Sequence, residues 1–521
     1  MILGVLVCAL IIGSANTDLP RTKPFLSLNE AGIEDLAEGL KFREFTSVDL
    51  INATRINDVN DVLNVVVEIN PDAILIASML DEERSMGTIR GPLHGIPILI
   101  KDVIATNDKM NNTAGSYALV GAKVPADSTI ARKLRESGAI ILGKTNPSQW
   151  GLFRSFNINP SGSSSGSAVA ATLGLATVCL GVETSGSIIA PSHYNNIVDM
   201  KPTVGLTSRH LVVPVSEHMD TIGPMTKTVK DAAYFLRSIA GVDPSDNYTS
   251  AIPHGADLDF VNACNISALK GARLGIPQNV ISLMSNNSTG SMLEAFNKSL
   301  AILRSAGAII IENTDFPAAQ ESIDNALLTV QVVATDFVVA VEKHLSSLVY
   351  NPHNITNLAD LRQWTQSSSL EDYPNKPTDV WDAALRNWNN ADYEYWRAYQ
   401  QALYWGNQGG LLGVIKRYEL DAAILPSLYS WNWAAVIGAP IISVPMGAMP
   451  PDQPIVSDAD GLVSAGPNIP FGFSFLGARF TDAKLIGLAY AFEQRTMKRK
   501  TVHPHIKPRT DLRDEVGMQN S

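Results

Sequence analysis

Lys101 closes the apolar run Ile96-Pro97-Ile98-Leu99-Ile100, and two downstream segments are crowded with hydroxyls and glycines: Ser161 to Ser167 reads SGSSSGS and Glu183 to Ser187 reads ETSGS. A serine hydroxyl is a poor nucleophile until something removes its proton. A lysine takes that proton only when neutral, which requires apolar burial to bring its pKa down toward neutrality. The run before Lys101 supplies that setting. A second serine bridges an amine to an attacking hydroxyl, and Ser163 and Ser187 are the candidates for bridge and attacker. Gly186 permits a tight turn, in which the N–H groups of Thr184, Ser185, Gly186 and Ser187 approach a carbonyl oxygen and stabilise its developing negative charge. Taken alone, a Ser/Gly loop is more often a turn or a flexible connection, and a lysine after a strand more often a solvated end.

In their order and context these residues resemble the amidase signature family. Its pattern runs from a lysine at a strand end through GGSSGGS and T(D/E)xGGSIRxP to GxxGxKPT. The corresponding stretches here are Lys101, SGSSSGS, GVETSGSIIAP and NNIVDMKPTVG, with Ser163 62 residues beyond Lys101 and Ser187 24 beyond Ser163. The resemblance spans about residues 65 to 500 and includes RGPLHGIPILIKD, LRESGAIILGKTNPSQW, DTIGPMTKTVKDAA and GAPIISVPMG. It is strongest toward peptide amidases and similar fungal amidases. The resemblance implies an amidase in which Lys101 is the general base, Ser163 the bridging serine and Ser187 the acyl-forming nucleophile. It also implies a small-molecule or peptide amide substrate; the candidate substrate contacts are Gly151, Ser163, and Trp431 and Trp433, the two tryptophans by their place just before the GAPIISVP strand.

Three departures accompany it. Ile189 stands where the general pattern has arginine, Ser185 where the peptide amidase branch has aspartate, and the stretch from Trp150 to Ser161 is shorter than its counterpart there. Two alternatives therefore stay open: an acyl-transferring, amide-forming enzyme with the same three residues, or a catalytically silent relative. A third, the signature-bearing component of a transfer-RNA-dependent amidotransferase, fits poorly with the export features below.

The 521 residues, 45% hydrophobic and 17% charged, suffice for a large core. Apolar runs such as GIPILI, AIIL, ATVCLG, LDAAILPS and APIISVP alternate with helical patterns, which predicts an α/β fold. The resemblance implies one domain with a mixed central β-sheet surrounded by helices. We divide the chain into an N-terminal helical segment at 24–64, the amidase domain at 65–505 with a variable helical region at 270–420, and a loose polar tail at 506–521. Ser27 and Glu30 are spaced as a capping box. In the variable region Trp381, Trp388, Tyr393, Trp396, Tyr399 and Trp405 recur at helical spacing, a pattern that more often marks core than a substrate entrance.

Residues 1–15 read as a secretory leader: Ile2 to Gly13 is apolar and ends in Gly13-Ser14-Ala15, too short for the roughly 20 residues of a spanning helix. Eight Asn-x-Ser/Thr sequons, at Asn52, Asn111, Asn247, Asn265, Asn286, Asn287, Asn297 and Asn354, agree with a secreted glycoprotein lacking a stable membrane anchor. Asn111, near the expected site, is the poorest acceptor. The net charge of −11 offers no footprint for nucleic acid. Of the three cysteines, Cys8 lies in the leader and Cys179 in an apolar run, so a Cys179–Cys264 bridge is not expected. The nine histidines show no metal-ligand spacing, and neither metal nor cofactor is expected.

Overall fold

The computed structural model describes residues 26–155, 161–286, 288–457 and 461–519. The expected leader with Cys8, the sequon at Asn287 and part of the short 150–161 stretch lie outside the described residues.

The strands are β1 (Val66–Ile69), β2 (Pro97–Lys101), β3 (Ile140–Thr145), β4 (Val178–Glu183), β5 (Val198–Lys201), β6 (Thr221–Thr226), β7 (Arg273–Gly275), β8 (Ile309–Ile311), β9 (Ala422–Pro426), β10 (Ile441–Ala448), β11 (Val456–Ser457), β12 (Val463–Ala465) and β13 (Pro470–Leu476). Eleven of them build one sheet in the spatial order β1-β3-β2-β4-β6-β5-β10-β13-β9-β7-β8, and β11 with β12 forms a separate ribbon. β2 runs parallel to β3 and β4, while β4 runs antiparallel to β6, so the sheet is mixed, as expected.

Central strands covered on both faces read as continuous apolar runs, and every residue of β2 is buried. Its side chains alternate: Ile98 and Ile100 join the larger core, whereas Leu99 packs with Ala168, Ala170 and Ala171 of the helix Ser165–Leu173. Burying each of these aliphatic side chains contributes about 1.5–3 kcal/mol. The two-residue period brings Lys101 out on Leu99's face, toward that helix. In β4 the same alternation sends Val178, Leu180 and Val182 to the larger core and Cys179 to the helix side. Glu183 therefore shares Cys179's face. Because β2 and β4 are parallel neighbours, Lys101 and Glu183 emerge at the carboxyl ends of adjacent strands, the place where open α/β sheets bind ligands.

Three sequence expectations change at this level. Ser27 and Glu30 form no capping box: the first helix starts at Ile33, Ser27 Oγ donates to Asp511, and Glu30 pairs with Arg499. A reciprocal box occurs instead at Thr46 and Asp49. The described part of the tail is not loose, since Leu512 is buried, Asp511 accepts the Leu28 N–H, and Asp58 accepts the N–H groups of Arg509 and Thr510. Its polar composition hid a carboxylate that satisfies backbone donors. Trp433 belongs to the core, with its ring edge-on to Phe316 and its indole N–H donated to the Tyr429 carbonyl. In the variable region the helical spacing marks core at Trp381 and Trp405, which are buried, while Trp388 and Tyr399 are half-buried and Tyr393 and Trp396 are exposed. Cys179 and Cys264 are both free thiols.

Candidate active site

Lys101 Nζ lies 2.6 Å from Ser163 Oγ and 3.0 Å from Ser164 Oγ, and donates to the Val182 carbonyl at 3.1 Å. The amine is buried, and burial lowers its pKa to about 7, with the carboxylates of Asp220 and Glu183 pulling the other way. An amine with that pKa is substantially neutral near pH 7 and able to accept a proton. The serine-rich loop closes over it because Gly181 lacks a side chain: a Cβ there would stand 3.1 Å from Ser164 Oγ and 2.7 Å from Ile188.

The loop and the second hydroxyl segment are joined directly, since Ser164 N–H donates to the Ser187 carbonyl at 3.2 Å. The loop is held from its other side by Ser148, whose N–H donates to the Ser163 carbonyl. Ser187 is 8% exposed, and among the described residues its hydroxyl has no hydrogen-bond partner. The amine and the Ser163 hydroxyl thus meet at one end of β2 and β4, and the Ser187 backbone is bonded to the same loop.

Two buried carboxylates hold the turn between Glu183 and Ile189. Glu183 Oε2 accepts the N–H groups of Ile188 at 2.6 Å and Ile189 at 3.0 Å. At the other end Thr184 Oγ1 donates to Asp220 Oδ1 at 2.6 Å, while Asp220 Oδ2 accepts the N–H groups of Val215 and Ser216. Burial raises the Asp220 pKa, opposed by these three bonds. Among the described residues no protein acceptor takes the N–H groups of Thr184, Ser185, Gly186 or Ser187. These donors are therefore available to an oxyanion. Gly186 has φ +80, the left-handed region that favours glycine, and a Cβ there would lie 3.1 Å from the Trp431 ring. Trp431 walls the turn, whereas Trp433, two residues on, faces the core. Ser185 is exposed and donates to Asn432 Oδ1 at 2.9 Å.

Gly151 sits on a neighbouring turn with φ +67, where a Cβ would lie 2.9 Å from Val215. It packs against that loop, and no contact of it with the three central side chains is found among the described residues. A cavity of about 1330 Å³ borders the far side of the serine-rich loop, lined by Asp102, Thr113, Ser148, Gln149, Ser161 and Ser165 among others; Lys101, Ser163 and Ser187 are not in its lining. Among the described residues no group of three or more His, Cys, Asp or Glu side chains is placed to hold a metal.

The residues that sequence reasoning missed are Ser164, Glu183 and Asp220. Ser164 is the middle of the SSS run, and Glu183 and Asp220 begin the quoted stretches ETSGS and DTIGPM. The only available signal was a carboxylate flanking each hydroxyl-rich or strand segment.

Known proteins place these observations in a family. The family model described as Amidase matches residues 51–430. A protein of Arthroderma benhamiae bearing the name "Putative amidase" is 46% identical, with the match covering 95% of this chain and 90% of that one. The crystal structure of native peptide amidase from Stenotrophomonas maltophilia superposes with a TM-score of 0.80 at 32% identity, covering 92% of this chain and 99% of that one. A glutamyl-tRNA(Gln) amidotransferase component of Carboxydothermus hydrogenoformans is 32% identical over only 56% of this chain and 61% of its own.

Proposed function

The chain belongs to the amidase family and hydrolyses carbon–nitrogen bonds, and we propose that it does so through an acyl-serine formed on Ser187, with Ser163 as proton bridge and Lys101 as base. The observation that carries this reading is a fully buried amine 2.6 Å from the Ser163 hydroxyl, with a pKa brought to about 7 by that burial.

As Ser187 Oγ attacks the substrate carbonyl carbon, its proton passes to Ser163 Oγ, and the proton of Ser163 passes to Lys101 Nζ. The carbonyl π electrons move onto oxygen, and the free N–H groups of Thr184 to Ser187 hold that negative charge. When the carbon–nitrogen bond breaks, the relay runs backward and the leaving nitrogen receives the proton. A water molecule then attacks the ester by the same path, and Ser187 is restored.

The substrate class is an amide of small-molecule or peptide size, by likeness to the peptide amidase. A screen of purified protein for ammonia or amine release over peptide, aryl, fatty-acid and small aliphatic amides tests it. No release in any class, together with failure of a fluorophosphonate probe to label Ser187, refutes it.

We also propose that the protein is exported and glycosylated. Asn52, Asn247, Asn265, Asn286, Asn297 and Asn354 are exposed, which supports the proposal, whereas the Asn111 side-chain amide donates to Glu68 and its side-chain carbonyl accepts the Gly121 N–H. Mass mapping of the protein secreted by a eukaryotic host checks this; unmodified asparagines at all six exposed sites refute it.

A further inference from the structure

Resting on that reading, we propose that Asp336 is a positioning residue for the oxyanion turn, acting through Ser216 and Asp220 on Thr184. Asp336 lies on the 21-residue helix Ala326–Ser346, inside the variable region, and is buried. None of the residues quoted for the family pattern lies on that helix.

The connection is continuous. Ser216 Oγ donates to Asp336 Oδ2 at 2.5 Å, and His218 Nδ1 lies 3.0 Å from the same oxygen. Tyr395, on the helix Tyr393–Gly406, donates its hydroxyl to Asp336 Oδ1 at 2.6 Å. One carboxylate thereby ties two helices of the variable region to the loop at Val215–Asp220. The backbone of that same loop clamps Asp220, because the N–H groups of Val215 and Ser216 occupy its Oδ2 at 2.8 and 3.1 Å. Asp220 Oδ1 in turn receives the Thr184 hydroxyl at the head of the turn that carries the proposed oxyanion donors. A second contact seats the helix against the end of the Gln149–Leu152 turn: Phe337, next to Asp336, packs on Phe153 at 4.8 Å between ring centroids.

Buried carboxylates are costly unless several donors satisfy them. Asp336 is surrounded by three such donors from two segments, Ser216 and His218 of the loop and Tyr395 of a second helix, and an amide in its place has one acceptor oxygen and turns an NH₂ group toward donors. Substitution by asparagine therefore removes the fixed geometry while keeping the volume. Small displacements of reacting groups are expensive, since about 1 Å of misplacement costs on the order of 100-fold in rate.

The test uses the full chain and a fluorophosphonate probe, whose reaction with Ser187 separates binding (KI) from bond formation (kinact). Asp336→Asn is expected to lower kinact about 10-fold, below the loss from removing an oxyanion donor outright, with KI within about twofold and the thermal transition still cooperative. Thr184→Val is expected to lower kinact similarly, and the double variant to be no slower than the slower single one, because both act on one path. Ser216→Ala, which deletes only the hydroxyl, is expected to reproduce the loss if Asp336→Asn fails to fold. Wild-type kinact in folded Asp336→Asn or Ser216→Ala, or losses that multiply in the double variant, overturn the proposal. A wild type that is unlabelled, or labelled equally in Ser187→Ala, overturns the acyl-serine reading and this inference with it.

Discussion

Glu183 Oε2 accepts the Ile188 N–H at 2.6 Å, so the carboxylate that ends β4 spans the turn carrying Ser187 and fastens its far side. The same oxygen takes the Ile189 N–H, and Glu183 is fully buried. Glu183→Ala leaves two buried backbone donors unpaired, each costing about 1–3 kcal/mol. We expect a clear loss of stability in urea titration and slower labelling of Ser187. Glu183→Gln keeps a carbonyl acceptor and is expected to be milder on both measures. Equal behaviour of Glu183→Ala and wild type contradicts the role of this contact.

Ser187→Ala is expected to reduce turnover by about 10³-fold or more, as losses of attacking serines do, with the far-ultraviolet circular dichroism spectrum retained. Lys101→Arg is an informative companion, because guanidinium stays protonated and donates but takes no proton. Retention of activity in Lys101→Arg eliminates lysine as the base.

The buried lysine also fixes a pH dependence. Burial lowers Lys101 to about 7, so the folded protein holds this amine charged below that pH and neutral above it. The neutral form is the base, and kcat/KM is expected to rise with pH through about 7 and then level. Steady-state rates from about pH 5 to 9 check the sign; activity that falls through neutrality contradicts it.

The two tryptophans at 431 and 433 are expected to separate function from packing. Trp431 lies against Gly186, so Trp431→Ala is expected to change KM across a substrate panel while leaving stability nearly intact. Trp433 packs on Phe316 in the core, and its replacement by alanine is expected to cost about 3–5 kcal/mol in unfolding free energy, the usual range for a buried tryptophan. The reverse pattern contradicts this division.

Gly186→Ala forces a side chain into the left-handed region and within 3.1 Å of the Trp431 ring. Strain of this kind costs about 1–3 kcal/mol. The expected result is folded protein with slowed labelling of Ser187, measured alongside Trp431→Ala/Gly186→Ala, where the steric part of the loss is relieved.

The amino-acid order by itself determined a large part of this picture. Apolar runs alternating with helical patterns point to the α/β fold, because the two-residue and 3.6-residue periods are local properties that need no folded chain. Lys101, Ser163 and Ser187 stand out as candidates by residue type beside glycine-rich turns, and their roles come from the order of motifs that resembles the amidase signature family. Only the tertiary structure decided which carboxylates frame the site: Glu183 and Asp220 look like ordinary strand-flanking acids until β4, β6 and the 213–220 loop converge on one turn. It likewise decided that Trp431 walls the turn while Trp433 enters the core, that Gly151 answers to Val215, and that Asp511 caps the N-terminal segment from 483 residues away. Contacts between distant segments depend on how the sheet orders its strands, and no local periodicity encodes that order.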